Sequence, residues 1–304
     1  MFLKQIIRSI ILRIDRFLLK LLVLPFFVIP KLKRKNIIGN NCKVMHAHNG
    51  VIAIENNTVY KIGYGKYETT KKEDNLRSIA VKKWAELENI LTECKYIKIS
   101  NIPILQMPLH KPINKDETLN HAIQLHKKIR EFKDYSNNSV NTKDFIHMQK
   151  GLKIIKNQLK ENEYDLIEGH LKNFFQNEIT SIGFCHGDFH SRNIMIDNNQ
   201  HLRLIDLDCI SLNGIQDFDI LHFILEYFWS DNGDYWCVTL KKILDNDIPK
   251  EFYELMNNFS LRTSFNLYVA YFVHRLGLEK NNYNFDIPKK MVEPVLKRIS
   301  RNFM

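Results

Sequence analysis

The stretch His186-Gly187-Asp188-Phe189-His190-Ser191-Arg192-Asn193, followed by Ile205-Asp206-Leu207-Asp208, decides the reading of this chain. Between the two, residues Ile194–Ile196 and Leu202–Leu207 alternate apolar and polar positions around Asp197-Asn198-Asn199-Gln200, the pattern of a β-hairpin. On the N-terminal side apolar residues recur at helical spacing over Glu117–Phe132, Asp144–Leu159 and Tyr164–Phe175, and helical periodicity resumes from Asp217 to the C-terminus. The hairpin is therefore expected as an insertion in a helical region, with Asp188 and Asn193 on its approach and two aspartates on its exit.

Further toward the N-terminus the pattern changes to short strands, Lys43–Met45, Val51–Glu55 and Thr58–Ile62, with turn signals at His48-Asn49-Gly50 and Asn56-Asn57. A helix is expected over Lys72–Thr92, where Leu76, Ile79, Ala80, Trp84, Leu87 and Leu91 keep a three-to-four spacing, and strand material over Ile97–Met107. Pro108 and Pro112 bracket an extended connection that marks a lobe boundary. The expectation is an α+β chain of two lobes: a small antiparallel-sheet lobe over 37–108 and a mainly helical lobe over 109–304, preceded by a segment 1–36 of different character.

A bare cluster of His186, Asp188 and His190 is also what a metal hydrolase could use. That reading leaves Asn193 and Asp206 without roles, and only His201 stands nearby to extend such a cage. The order H-x-D-x-x-x-x-N followed by a hairpin ending in a carboxylate resembles the protein-kinase catalytic loop and its metal-binding aspartate. The variant H-G-D-x-H with I-D-x-D resembles the aminoglycoside phosphotransferase and choline kinase branch of the protein-kinase-like superfamily, which includes kinases of lipopolysaccharide sugars. The resemblance is sharp from His186 to Asp208 and extends loosely over residues 43–230.

What the resemblance implies is ATP-dependent phosphoryl transfer with Mg2+ to a hydroxyl group. Such transfer is mostly positioning and charge neutralisation, so it needs a carboxylate facing the acceptor hydroxyl and oxygen ligands facing magnesium. Asp188 takes the first role, and Asn193 and Asp206 the second. Asp208 is either a further metal ligand or a polar residue on the same strand face, and His186 holds the loop backbone. Lys61, inside the apolar strand Val59-Tyr60-Lys61-Ile62, matches the lysine that contacts nucleotide phosphates, because a cation there is costly without a partner. Glu73 is the expected partner, with Glu86 and Glu88 facing solvent. The nucleotide-covering loop departs from the kinase pattern: Met45–Gly50 holds one glycine, Gly50, which permits close approach to phosphate. Asp217-Phe218-Asp219 reads equally as a buttress of the catalytic loop and as a helix cap. Phe223, Tyr227, Phe228 and Trp229 read as core or as the wall of an acceptor pocket.

Charge is unevenly distributed. Of the chain's net +10, residues 1–36 carry +8, nine Lys and Arg against Asp15 alone, so the remainder is nearly neutral. That split excludes a protein whose main surface tracks nucleic acid. In 1–24 cations recur every three to five positions among Phe, Leu and Ile, the pattern of a basic amphipathic helix. The uncharged run Leu21–Pro30 is ten residues, short of the roughly 18 to 20 that span a bilayer, and no cleavage site follows it. The segment is expected to be retained and to lie on an anionic membrane surface, with Phe26–Ile29 in the interface and Lys31–Lys35 against headgroups; the alternative is a helix packed on the protein's own core.

Five scattered cysteines form no disulfide or zinc pattern and fit a reducing compartment. These features together point to a kinase of small-molecule or glycan acceptors, peripheral on the cytoplasmic membrane face, with a lipopolysaccharide or other lipid-linked sugar as acceptor. A cytosolic aminoglycoside- or choline-type kinase and a membrane-bound pseudokinase are the alternatives, the second opposed by the intact set Lys61, Asp188, Asn193 and Asp206.

Overall fold

The computed structural model describes residues 28–47, 50–63, 69–99, 101–134, 143–156, 158–179, 181–232, 235–248, 250–283 and 287–301. The chain forms two compact units, one of residues 1–111 with 197–203, the other of 112–196 with 204–304. The tip of the hairpin thus belongs to the first unit and its base to the second.

The first unit is built on a five-stranded antiparallel sheet in the order β1-β2-β3-β5-β4, with β1 Lys43–Ala47, β2 Gly50–Glu55, β3 Thr58–Gly63, β4 Lys95–Ile99 and β5 Ile102–Pro108. Asn56 and Asn57 turn β2 into β3 with φ of 47° and 61°, the left-handed pair that matches strand twist. The stretch Ile97–Met107, expected as one strand region, is a hairpin, because Asn101 takes φ 66° and reverses the chain. A helix α1 (Ile29–Arg34) precedes the sheet. Val28 and Leu32 are buried in one cluster with Ile38, Val51, Ala53, Ile62, Ile102 and Ile104, and Ile29 packs against it. Val28 therefore spends its apolar surface on the sheet and not on lipid, which corrects the interfacial reading for that residue, while Ile29 is partly buried against the same cluster. Residues 1–27 lie outside the described residues.

The helix expected over Lys72–Thr92 is shorter: α2 runs Thr70–Lys83. Trp84 adopts an extended conformation (φ −137°, ψ 99°), and a 3-10 turn, Ala85–Asn89, follows. The break lets Leu87 and Leu91 be fully buried, which tertiary packing rewards more than continued helix.

The second unit holds helices α3 (Lys115–Ile129), α4 (Lys143–Lys156), α5 (Glu161–Asn177), α6 (Gln216–Asn232), α7 (Trp236–Leu244), α8 (Lys250–Asn258), α9 (Phe265–Tyr283) and α10 (Lys289–Arg301). Asn114 caps α3 by accepting from Glu117 N at 3.1 Å. Strands β6 (Lys111–Pro112), β8 (Ile194–Ile196) and β9 (Leu202–Leu204) are short, and β7 (Ile182–Cys185) and β10 (Ser211–Ile215) pair antiparallel, with the loop from His186 to Asn193 between them. α6 supplies the core with Ile220, Leu221, Phe223, Ile224 and Leu225, each fully buried. α4 and α9 cross with backbones nearly touching: a Cβ on Gly151 would lie 1.9 Å from Val273 O, and one on Gly277 1.8 Å from His147 O. No helix among the described residues is long and apolar enough to cross a membrane.

Candidate active site

The loop after β7 is fixed from behind. His186 N and Gly187 N both donate to the Asp219 carboxylate on α6, at 2.5 and 2.8 Å. His186 is fully buried and its Nε2 bonds Ile205 O at 2.9 Å, tying the loop to the hairpin exit. Since a carbonyl only accepts, Nε2 carries the ring proton. His186 is thus a brace, as expected. Of the two aspartates opening α6, Asp219 is the buttress and Asp217 pairs with Arg130 at 2.9 Å. Gly187 takes φ +78°, a conformation that admits glycine without strain.

Asn193, 5% exposed, donates its Nδ2 to Asp188 O at 2.9 Å. That bond fixes the amide orientation and leaves Oδ1 as the atom available to a cation. Its backbone oxygen accepts from Ile205 N at 3.1 Å, so the residue before Asp206 is held beside Asn193 at the base of the hairpin. Strand β9 is Leu202–Leu204, not Leu202–Leu207, because Asp206 adopts the left-handed conformation (φ 60°, ψ 62°). For a non-glycine residue that costs on the order of 1 kcal/mol, a strain typical of functional positions. The turn puts Leu207–Cys209 into a 3-10 segment and buries Asp208 at 7% exposure. Asp206 and Asp208 therefore do not share a strand face, contrary to the sequence expectation.

The Asp188 carboxylate meets three basic side chains. Arg275 Nη2 donates to Oδ1 at 2.8 Å, His222 Nε2 lies 3.2 Å from the same oxygen, and His190 Nε2 lies 3.5 Å from Oδ2. Arg275 also donates Nη1 to Gly187 O at 3.0 Å and Nε to Glu279 at 3.0 Å. His222 Nδ1 faces the Tyr271 hydroxyl at 2.8 Å. Arg275 and His222 escaped the sequence reading. They sit on α9 and α6, 87 and 34 residues from Asp188, with no local pattern to mark them; the one available signal was an arginine in the middle of the apolar run Tyr268–Leu278.

In the first unit Lys61 Nζ donates to Glu73 at 2.7 Å, with Glu73 fully buried and Lys61 one-fifth exposed. Glu86 and Glu88 are exposed. A Cβ on Gly50 would lie 2.0 Å from Ile62 O, so strand pairing alone accounts for that glycine. The turn residues 48–49 lie outside the described residues. Phe223 is core, packed on Phe189 and Phe259, while Tyr227 lines a hollow of about 370 Å3 with Thr118, Ser191, Arg192 and Met195. The side chain of Trp229 lies outside the described residues.

The family model described as choline/ethanolamine kinase matches residues 53–255. The chain belongs to the choline/ethanolamine kinase family. No curated protein matches it in sequence. Solved structures share its fold at low identity. The choline kinase LicA from Streptococcus pneumoniae is 13% identical, with a TM-score of 0.56 over 90% of this chain and 98% of that one. An ethanolamine kinase from Plasmodium vivax is 15% identical, with a TM-score of 0.52 over 89% and 85%. The ADP-bound aminoglycoside phosphotransferase APH(2'')-Ib is 15% identical, with a TM-score of 0.52 over 90% and 97%. This chain is accordingly a small-molecule kinase that transfers phosphate from ATP, with Mg2+, to a hydroxyl acceptor.

The electrostatics of this candidate site follow from burial. Burial alone would raise the Asp188 pKa, but Arg275, with His190 and His222, outweighs it and holds the carboxyl well below its usual range. Burial pushes His222 down to about 3, with Arg275 adding to the effect, so the ring is neutral and donates one proton to Asp188. Burial raises Asp219 to about 6 despite its two amide donors.

His126 on α3, packed against Phe189 and Phe259, is likewise lowered to about 3 by burial and by Arg130. A histidine whose folded pKa is depressed contributes stability that is complete above the unfolded value of 6.5 and is lost as pH falls toward about 3. Asp219 has the opposite sign: its folded pKa is raised, so its contribution is complete below 3.8 and lost as pH rises through about 6. Urea unfolding of His126→Leu should therefore show a pH dependence shallower than wild type by about 1.4 kcal/mol per pH unit between roughly pH 4 and 6. Parallel profiles would mean that His126 carries its proton in the folded state.

Proposed function

We propose that Asp188 accepts the proton of the attacking hydroxyl, that Asn193 Oδ1 and Asp206 hold magnesium with the buried Asp208 behind them, and that Lys61, poised by Glu73, contacts the nucleotide phosphates. The observation that carries this reading is the joining of Asp188, Asn193 and the Asp206 turn by two hydrogen bonds at the hairpin base. The donor set suits magnesium: an amide oxygen whose nitrogen is already engaged, and a carboxylate presented by a strained turn. Bound magnesium supplies charge neutralisation of the phosphates. The loop itself orients the acceptor hydroxyl and takes its proton at an Asp188 oxygen. Because the transition state is loose, the hydroxyl gives up its proton late, and a weak base that is always ionised suffices. Lys61→Ala should raise KM for ATP about tenfold with a smaller effect on the acceptor KM, since one charge-assisted contact of about 1.4 kcal/mol or more is removed; initial-rate kinetics in both substrates measures it.

The acceptor in this reading is a lipid-linked saccharide at the cytoplasmic face of the membrane. Its support is the cationic run Lys31, Lys33 and Arg34, with Lys35 at the C-cap, on a helix that Leu32 fastens to the sheet, so that a folded element displays positive charge for anionic headgroups. A second reading, a soluble amino alcohol such as choline or ethanolamine, is favoured by the family match and by Glu226. That carboxylate is only 13% exposed, is paired with Arg192 at 3.7 Å, and has its pKa raised by burial. Phosphate transfer from labelled ATP to a membrane glycolipid extract, set beside choline, ethanolamine and aminoglycosides, decides between them. Labelling of the soluble amines alone removes the lipid-linked acceptor.

A further inference from the structure

A second constellation of ligand-type side chains lies behind the catalytic loop in the same unit. Asp144 and His147 stand at i and i+3 on α4, hence on one face of the helix. His274 on α9 meets them where the two helices touch: Asp144 Oδ1 is 2.9 Å from His274 Nε2, and His147 Nδ1 is 3.4 Å from the same nitrogen. All three residues are buried, at 6%, 2% and 4% exposure, and their ligand atoms lie within 4.8 Å of one another. The other oxygen of Asp144 accepts from Ile215 N at 2.5 Å, which fixes the carboxylate plane.

We propose that Asp144 Oδ1, His147 Nδ1 and His274 Nε2 form a binding site for one zinc-type divalent ion, separate from the magnesium of phosphoryl transfer. Two ligand atoms at zinc bond lengths of about 2.0 to 2.1 Å and a tetrahedral angle stand about 3.3 Å apart; the separations of 2.9 and 3.4 Å straddle that value, and the third pair lies within 4.8 Å. Without an ion, one proton on His274 Nε2 faces both Asp144 Oδ1 and His147 Nδ1. An ion takes a lone pair from each. A small cavity lined by all three residues, with about 10 Å3 of room, is close to what a single water needs as fourth ligand.

The same cavity is lined by Asp219, the buttress of the catalytic loop. The carboxylates of Asp144 and Asp219 offset a 2+ charge, and the one cation among the lining residues, Arg275, is engaged by Asp188 and Glu279. Imidazole nitrogen selects a transition ion over magnesium or calcium, so the site does not compete for the kinase's own metal. The spacing is enforced by the fold, since the Gly151 and Gly277 contacts allow no side chain to separate α4 from α9.

The full chain, expressed with zinc in the medium and desalted, should carry about one zinc per chain by inductively coupled plasma mass spectrometry. His147→Gln and His274→Gln should each lose it, whereas Asp206→Ala, which alters the magnesium site, should keep it. Chelation of the wild-type protein should lower its melting temperature by several degrees, an effect absent from His147→Gln. Should a variant fail to fold, cobalt added to the chelated wild-type chain reports independently, through the visible absorption of a tetrahedral site. A folded wild-type chain that takes up neither zinc nor cobalt overturns the proposal, as does zinc that stays in both histidine variants or leaves with Asp206→Ala. None of these readouts depends on kinase activity, so failure here and failure of the phosphotransfer reading are distinguishable.

Discussion

Asp188→Asn is expected to lower kcat by about a thousandfold while leaving the KM values for ATP and acceptor within a few fold of wild type. The substitution keeps the shape of the side chain. An amide oxygen in the place of Oδ1 still accepts from Arg275 Nη2 and from His222 Nε2, and Arg275 keeps its second carboxylate partner, Glu279. Asn193 bonds the backbone oxygen of residue 188 and not its side chain, so its amide stays in place. What disappears is the carboxylate's capacity to take a proton, the role proposed for it. The measurement is steady-state kinetics beside a melting curve. A kcat within tenfold of wild type in a folded variant would remove Asp188 from the proton-transfer role and leave it an anchor for Arg275.

The division between what the sequence disclosed and what it hid follows the range of the interactions. Features fixed by neighbours in the chain could be read. The alternation in β2 and β3 gives the sheet, Asn56-Asn57 gives its turn, and the residue order from His186 to Asn193 marks a loop whose internal bond, Asn193 Nδ2 to Asp188 O, spans five residues, while its ties to Asp219, Ile205 and Arg275 are long-range. The Lys61 to Glu73 pair was legible for an energetic reason, since a lysine within an apolar strand requires an anion and the next helix opens with one. What could not be read depends on helix crossings. Arg275, His222 and His274 are placed by the packing of α9 against α4 and α6, and nothing near them in sequence states which face of α9 turns inward. The strand beyond Leu204 was misread because periodicity carries no sign of a left-handed backbone at Asp206. The long helix expected to Thr92 failed likewise, since Leu87 and Leu91 keep helical spacing while reaching the core through a 3-10 turn.

Arg275→Met should both destabilise the protein and change the acid side of its pH profile, and the two effects together identify a positioning residue. Methionine fills most of the volume and removes every hydrogen bond, which leaves Asp188 and Glu279 as low-exposure carboxylates without their shared cation. Removing one partner from such a buried pair costs about 3 to 5 kcal/mol. Asp188 in the wild type is ionised throughout the working range, because burial is outweighed by Arg275 and the two histidines. A carboxylate with a depressed folded pKa contributes stability above its unfolded value of 3.8 and loses it only as pH falls through the lower folded value. With the guanidinium gone, burial acts against two histidines alone and the Asp188 pKa rises. The acid limb of kcat/KM should therefore move to higher pH, so that activity relative to wild type falls as pH is lowered. Arg275→Lys restores a charge near Oδ1 but not the fork that also holds Gly187 O, so it should recover the acid limb more fully than kcat itself. A purely structural role would lower the melting temperature in both variants and leave the shape of the pH profile unchanged; the shift of the limb, present in Met and reduced in Lys, is the signature that Arg275 sets the charge state of Asp188.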